Sequence, residues 1–455
     1  MKKYKTLLWT GNTSFNLLQG LFLLLTVLII NSCTYKKIVP RPECPPMAGG
    51  GFMVVDHTER TIYEVLNQME VLPDYPEYFD YHDFYARTST HLEGGNAIYP
   101  VAQEVVKYNS TDNNGNPVQL TGLLIYPWSH VETLNVPIVS VNHGTELLKS
   151  IAPSGWKDAP WSKWKDYPEM LIADIMAIYY GWAIIMPDYQ GMGEDITENH
   201  PYCVRERLAN STADMMQAAM EYFGCSRNAY VDWNGQAFLY GYSEGGFVTM
   251  AAARELEERN VKLSGVVCMD GPYDLSGTML DVMLADKPFP VPYFLPMLMV
   301  GYHTMYPEAY DYGAMLIEPY KTNIPKYTTG FYDETVVNGI MPPDKILKKI
   351  FTAAFYDSLK NVNSKAYQIL FENNSYLGWV PKSKMLLWHC QNDDCVPFGN
   401  FVAAKDRFNS LGLTNIDYVE WPAVSPDPSG GTIHVSVAPR AFYEGSLWIN
   451  NLTKK

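Results

Sequence analysis

The chain has 455 residues, 47% hydrophobic and 14% aromatic, with a formal charge of −15. That richness excludes a disordered or low-complexity chain and supplies core for one decorated domain or two ordinary ones. The acidic balance disfavours nucleic acid, whose binding relies on Lys and Arg neutralising phosphates, and no fixed period suggests a repeat array.

The first 32 residues read as a targeting segment: "MKKYK" supplies three lysines and "LFLLLTVLII" a short apolar run. Ten residues are too few to span a bilayer, which takes about 20 predominantly apolar positions. "INSC", Ile30 to Cys33, follows at once and resembles the bacterial lipobox, in which the cysteine becomes the lipidated first residue. On that reading 1–32 is a lipoprotein signal peptide, Cys33 carries a lipid anchor to a cell-envelope membrane, and 33–51, rich in Pro and Gly, is a tether. Removing Lys2, Lys3 and Lys5, with no acids lost, takes the formal charge to −18. Residues 52–117 form an N-terminal extension with no assigned role; its stretch "VLPDYPEYFDYHDFY" is dense in Tyr and Asp.

From residue 118 onward apolar runs alternate with helical patterns, the signature of βαβ units around a mostly parallel sheet. Strands are expected at 118–127, 136–144, 181–189, 236–243, 263–270, 384–390 and 416–422. A helix is expected over Ala209–Phe223 with Asn210 or Ser211 as its cap, and a closing helix from Val437 onward. The stretch 276–382 breaks the alternation. It is crowded with Pro, Tyr, Met and Phe, carries an amphipathic helix over "PDKILKKIFTAAFYDSL", and reads as a cap inserted between two core strands.

Of the cysteines beyond Cys33, Cys203 with Cys225 and Cys390 with Cys395 are the local pairs that an exported chain could oxidise. Cys268 sits in an apolar run as a small hydrophobe, and no spacing suits zinc. No metal or cofactor is expected.

The chemistry concentrates at "FLYGYSEGGFVTM", 238–250. A serine hydroxyl is a poor nucleophile until a base takes its proton, so the chain must hold its oxygen exposed beside a histidine. A sharp strand-to-helix turn does so, and it demands small residues two before and two after the nucleophile. Gly241 and Gly245 around Ser243 meet that demand. A carboxylate and a histidine should then follow from later strand ends. "LLWHCQNDDCVP" offers Asp393 and Asp394, and "GGTIHVS" offers His434 after the last strand and before the closing helix.

The order Ser243, Asp393, His434 and the blocks "VNHGT", "MPDYQGMG", "GYSEGG" and "NDDCVP" resemble the α/β-hydrolase superfamily, in particular its secretory lipase and esterase branch, over residues 118–450. The resemblance implies an α/β-hydrolase fold with helices on both faces of the sheet: core over 118–275 and 383–455, a helical cap over 276–382. It implies a Ser-His-Asp triad of Ser243, His434 and Asp393, with Asp394 and Asp274 as rival acids. It also implies an oxyanion hole from the backbone N–H of Glu244 and of Gly144 or Thr145. His143 then braces the oxyanion loop, and Asp188 organises a turn. The expected partner is a small-molecule ester or acyl substrate, since an apolar cap suits an uncharged group. A peptidase of the prolyl-oligopeptidase type is the alternative, though Glu244 stands where that type has tyrosine and the chain has no room for a propeller. A noncatalytic surface binding module is the third class.

Overall fold

The computed structural model describes residues 53–60, 99–130, 132–158, 168–224, 228–426 and 430–453, all within the compact unit Cys44–Lys455. Cys33, Cys44, Cys225 and the stretch 71–85 lie outside the described residues, as do the expected signal peptide and the tether.

A nine-stranded sheet organises these residues. Its strands are β1 (Met53–Arg60), β2 (Val101–Thr111), β3 (Pro117–Pro127), β4 (Leu134–Asn142), β5 (Ala183–Pro187), β6 (Val231–Tyr242), β7 (Gly265–Met269), β8 (Met385–Cys390) and β9 (Ile416–Trp421). The spatial order is β1-β2-β3-β5-β4-β6-β7-β8-β9. β1, β2, β3 and β5 pair antiparallel in succession, and every pair from β5 through β4 to β9 is parallel. The parallel strands are near-continuous apolar runs because both faces are covered. Successive side chains alternate between the faces. Leu123, Ile125, Phe238 and Tyr240 join the cluster under α1 (Pro168–Tyr180) and the closing helix, α12 (Ile433–Thr453). Leu124, Tyr126, Leu239 and Val266 join the one under α2 (Arg205–Gly224), α3 (Glu244–Glu258) and α11 (Gly399–Ser410).

All seven expected strands are present, and the two added ones fall in the extension that had no assigned role. β2 escapes a hydropathy reading because Gln103 and Glu104 interrupt its apolar run. Both are buried, and each finds a polar partner: Gln103 Nε2 donates to Asp174 Oδ1 at 2.7 Å, and Tyr126 Oη donates to Glu104 Oε1 at 2.7 Å. Burial with a partner removes the penalty that made these residues read as surface.

Between β7 and β8 the chain is helical: α4 (Thr278–Leu284), α5 (Phe294–Met305), α6 (Tyr312–Met315), α7 (Tyr320–Tyr327), α8 (Glu334–Gly339), α9 (Ala353–Lys360) and α10 (Lys365–Glu372), around an apolar cluster that they share with Leu147, Tyr189, Tyr202, Phe247 and Val248 of the core. This is the inserted cap. Its expected amphipathic helix is broken, however. Leu347–Ile350 is a 3₁₀ turn, Phe351 bridges to Leu316, and a new helix starts where Thr352 Oγ1 accepts the Phe355 N–H at 3.1 Å. The cap side chain ends the first segment and begins the second.

Two helix boundaries also shift. α2 begins at Arg205, ahead of the expected start, and the two supposed caps lie inside it. Ser211 Oγ bonds back to Arg207 O at 3.1 Å and accepts the Gln190 N–H at 3.2 Å, and Asn210 Oδ1 receives Arg259 Nη2 at 3.0 Å, so each polar residue has a tertiary partner. The closing helix starts at Ile433, so His434 stands in its first turn rather than before it. The cysteine pairing differs too: Cys203, Cys268, Cys390 and Cys395 are free and buried. No helix among the described residues is long and apolar enough to cross a membrane.

Candidate active site

The centre of the site is the turn from β6 into α3. Ser243 sits at φ 60°, ψ −125°, a conformation costly for a residue with a Cβ and held only because its neighbours enforce it. Its N–H is tied to Met269 O at 2.9 Å. The flanking glycines follow from contact distances: a Cβ on Gly245 would stand 2.0 Å from Asn142 O, and one on Gly241 would stand 2.3 Å from Gly245 O. Neither backbone oxygen can retreat without breaking the sheet or the helix, so only glycine fits.

The three residues expected from the sequence converge. Ser243 Oγ lies 2.8 Å from His434 Nε2, and His434 Nδ1 lies 2.5 Å from Asp393 Oδ2. Asp393 Oδ1 accepts the backbone N–H of Cys395 and of Val396, each at 2.8 Å. Burial alone would raise the Asp393 pKa, but the His434 ring and the Val396 amide outweigh it and hold the carboxyl below its ordinary range. A carboxylate so placed fixes the ring with its proton on Nδ1, leaving Nε2 to accept from the serine.

The rival acids are occupied elsewhere. Asp394 accepts the backbone N–H of Ile433 and of His434, both at 3.2 Å, and so caps the closing helix. Asp274 accepts the N–H of Thr278 at 2.7 Å and the Tyr376 hydroxyl at 3.3 Å. Adjacent in sequence, Asp393 and Asp394 thus do different work: one meets the ring of His434 and the other its backbone.

The loop after β4 discriminates the two amides that the sequence left open. Gly144 N–H is already donated to Glu169 Oε1 at 3.0 Å. His143 Nδ1 lies 2.8 Å from Gly144 O, and a trans peptide sets its C=O and the next N–H in opposite directions. The Thr145 N–H is therefore aimed away from His143. The Glu244 N–H belongs to the first turn of α3, where no intrahelical carbonyl is available. Of the two amides it is that of Gly144 that a side chain takes up, which leaves Thr145 as the candidate donor.

His143 braces that loop. Its ring stacks on Tyr189 with centroids 4.1 Å apart, and Tyr189 Oη donates to His143 O at 3.0 Å. Burial pushes the His143 pKa down to about 4, so the ring is neutral at physiological pH. Asp188 holds the neighbouring turn, receiving Thr121 Oγ1 and Ser154 Oγ, each at 2.5 Å, and Ser154 N at 2.8 Å.

Sequence reasoning missed Glu169, which follows a stretch with no motif, and His200, whose Nε2 lies 2.8 Å from Glu244 Oε1. It also missed Asp270, although its place at the C-terminal end of the expected strand 263–270 was a usable signal. Over Ser243 the cap and the core enclose a cleft of about 50 Å³, lined by Met283, Phe289, Phe294, Leu298 and Val396 among others. None of the described lining residues is charged.

This geometry can be set beside known structures. A candidate hydrolase from Legionella pneumophila superposes with a TM-score of 0.70 at 20% identity, over 89% of this chain and 98% of that one. The rice cell wall degrading esterase LipA from Xanthomonas oryzae gives 0.62 at 23% identity, over 81% and 94%. The fold is that of an α/β-hydrolase. Candida antarctica lipase A also shares this α/β-hydrolase fold, with a TM-score of 0.56 at 15% identity over 82% and 76%. No family model and no curated protein matches the sequence.

Proposed function

We propose that the chain is a serine-dependent carboxylic-ester hydrolase. Ser243 Oγ attacks the ester carbonyl while His434 Nε2 takes its proton; Asp393 stabilises the resulting imidazolium. The tetrahedral oxyanion is held by the N–H groups of Thr145 and Glu244, each donor worth about 3–4 kcal/mol. Collapse expels the alcohol, protonated by His434, and leaves an acyl group on Ser243. Water, activated by the same histidine, then releases the acid.

The observation that carries this reading is the 2.8 Å contact between Ser243 Oγ and His434 Nε2 at the floor of an uncharged cleft. Support also comes from the fold's relatives, among them an esterase and a lipase. The uncharged lining suits an acyl group and gives the charged terminus of a peptide no partner in the cleft, so the peptidase alternative has no observation in its favour.

Cleft size makes the reading quantitative. A volume of about 50 Å³ holds roughly four water-sized groups, taking about 10–15 Å³ for each. Across a series of nitrophenyl esters, kcat/KM is expected to peak near about four acyl carbons and to fall beyond about eight. Turnover of peptide amides alone would refute the assignment, and a monotonic rise toward long chains would refute the acyl-site size.

The lipid anchor belongs to the same proposal and rests on "INSC" at the end of the apolar run. Cells fed labelled palmitate should label the protein, and Cys33→Ala should abolish the label; label retained by that variant would exclude Cys33 as the anchor.

A further inference from the structure

The pair Ser243–His434 ends at Asp393, but the buried polar cluster does not. Asp270 follows the last residue of β7, fully buried and at φ 41°, a backbone conformation that a non-glycine residue adopts only under tertiary constraint. A carboxylate oxygen of Asp270, one of Asp393 and a ring nitrogen of His389 all lie within 4.8 Å of one another. Asp270 Oδ1 accepts the Cys390 N–H at 3.0 Å and lies 3.3 Å from His389 Nε2. Its Oδ2 is buried without a hydrogen-bond partner among the described residues.

The groups facing this cluster are Tyr242 from β6, His389 and Cys390 from β8, Asp393, Asp394 and Cys395 from the following turn, His434 from α12, and Tyr273. None is a lysine or arginine. His389 Nε2 lies 2.8 Å from Val396 O, so this nitrogen carries the proton, and burial lowers the ring's pKa to about 4, leaving it neutral. Two buried carboxyls therefore face a single imidazole that becomes cationic during the reaction, that of His434. Like charges that close in a dry site do not both ionise, and the better-solvated member keeps the charge. Asp393 has two backbone donors and the His434 ring, whereas Asp270 has one backbone donor.

We propose that Asp270 is a positioning residue for the catalytic acid: a neutral carboxylic acid whose O–H, on Oδ2, is donated to Asp393. The burial of Asp270 and the neighbouring Asp393 charge both push its pKa well up, in agreement with that geometry. The donated bond holds Asp393 in place and draws charge from it, so the imidazolium of His434 is gripped less firmly and the base is regenerated at lower pH. This inference rests on the esterase reading above and names a fourth side chain acting through the third.

The test is the acid limb of kcat/KM, followed with a short-chain nitrophenyl ester on the detergent-solubilised full chain. Asp270→Asn replaces one neutral group by another and keeps a donor. It should lower kcat/KM by about three- to tenfold while the midpoint of the limb moves by less than about 0.3 pH unit. Asp270→Leu removes the donor, and the limb should move to higher pH by about one unit, because an undiluted Asp393 charge holds the protonated ring more tightly. If native Asp270 is instead ionised, Asp270→Asn removes a negative charge and the limb moves to lower pH by about a unit, which overturns the proposal. A folded Asp270→Leu whose limb coincides with wild type also overturns it. Should the leucine variant not fold, as circular dichroism would show, the asparagine variant decides alone. Stoichiometric phosphonate labelling of Ser243 in wild type tests the parent reading separately, so a limb in the wrong place counts against Asp270 only.

Discussion

Ser243→Ala lowers kcat for a short-chain nitrophenyl ester by on the order of 10⁶-fold, with KM changed little. The size of the effect follows from what is removed. Without Oγ, 2.8 Å from His434 Nε2, there is no covalent intermediate, and the remaining imidazole can only activate water that the site was not built to place. The oxyanion donors of Thr145 and Glu244 are backbone groups and survive the substitution, so a residual rate of about 10³- to 10⁴-fold over the uncatalysed reaction should remain. The folded structure should be unaffected. The Ser243 side chain makes its recorded hydrogen bond to His434, while its strained backbone is held through the N–H to Met269 O. Steady-state kinetics on protein checked by circular dichroism would settle the matter; loss of less than about a hundredfold would remove Ser243 from the mechanism.

Asp393→Asn is expected to cost on the order of 10⁴-fold in kcat at neutral pH. The amide keeps the shape of the carboxylate, and its oxygen can still accept the N–H of Cys395 and Val396. Its NH₂ then faces His434 Nδ1, which must become an acceptor, and the ring proton moves to Nε2. A ring so protonated cannot take the proton of Ser243. The loss should therefore appear in kcat, with ester binding in the apolar cleft preserved. Asp394→Asn provides the contrast. Asp394 meets the backbone of the closing helix and the Cys395 thiol, not the imidazole, so its neutralisation should weaken a cap, worth about 1 kcal/mol, and reduce kcat by less than about tenfold. Equal losses in the two variants would mean that the acid has been misassigned.

The two neighbouring aspartates show how far the sequence could be read. A candidate acid beyond the strand 384–390 was legible, because a buried run ending in polar residues is a local pattern. Which of the two carboxyls meets the imidazole depends on the direction of the following turn and on where α12 begins, both of them tertiary facts. Gly144 and Thr145 repeat the lesson. The motif placed an oxyanion donor there, but the choice turned on Glu169, which takes up one of the two amides.

Local sterics and periodicity belong to the sequence by itself: seven buried runs became strands, and Gly241 was required by the backbone of Gly245 four residues on. Such features depend on residues a few positions apart, whose spacing is covalent. Everything that depends on a partner distant in sequence was decided only by the tertiary structure. β2 became a core strand because Asp174 and Tyr126 met its polar residues, the cysteines stayed apart, the cap helix broke at Thr352, and Asp270 came to face Asp393. The physical reason is that a buried polar group is stable or costly according to what lies opposite it, and a linear chain does not say what that will be.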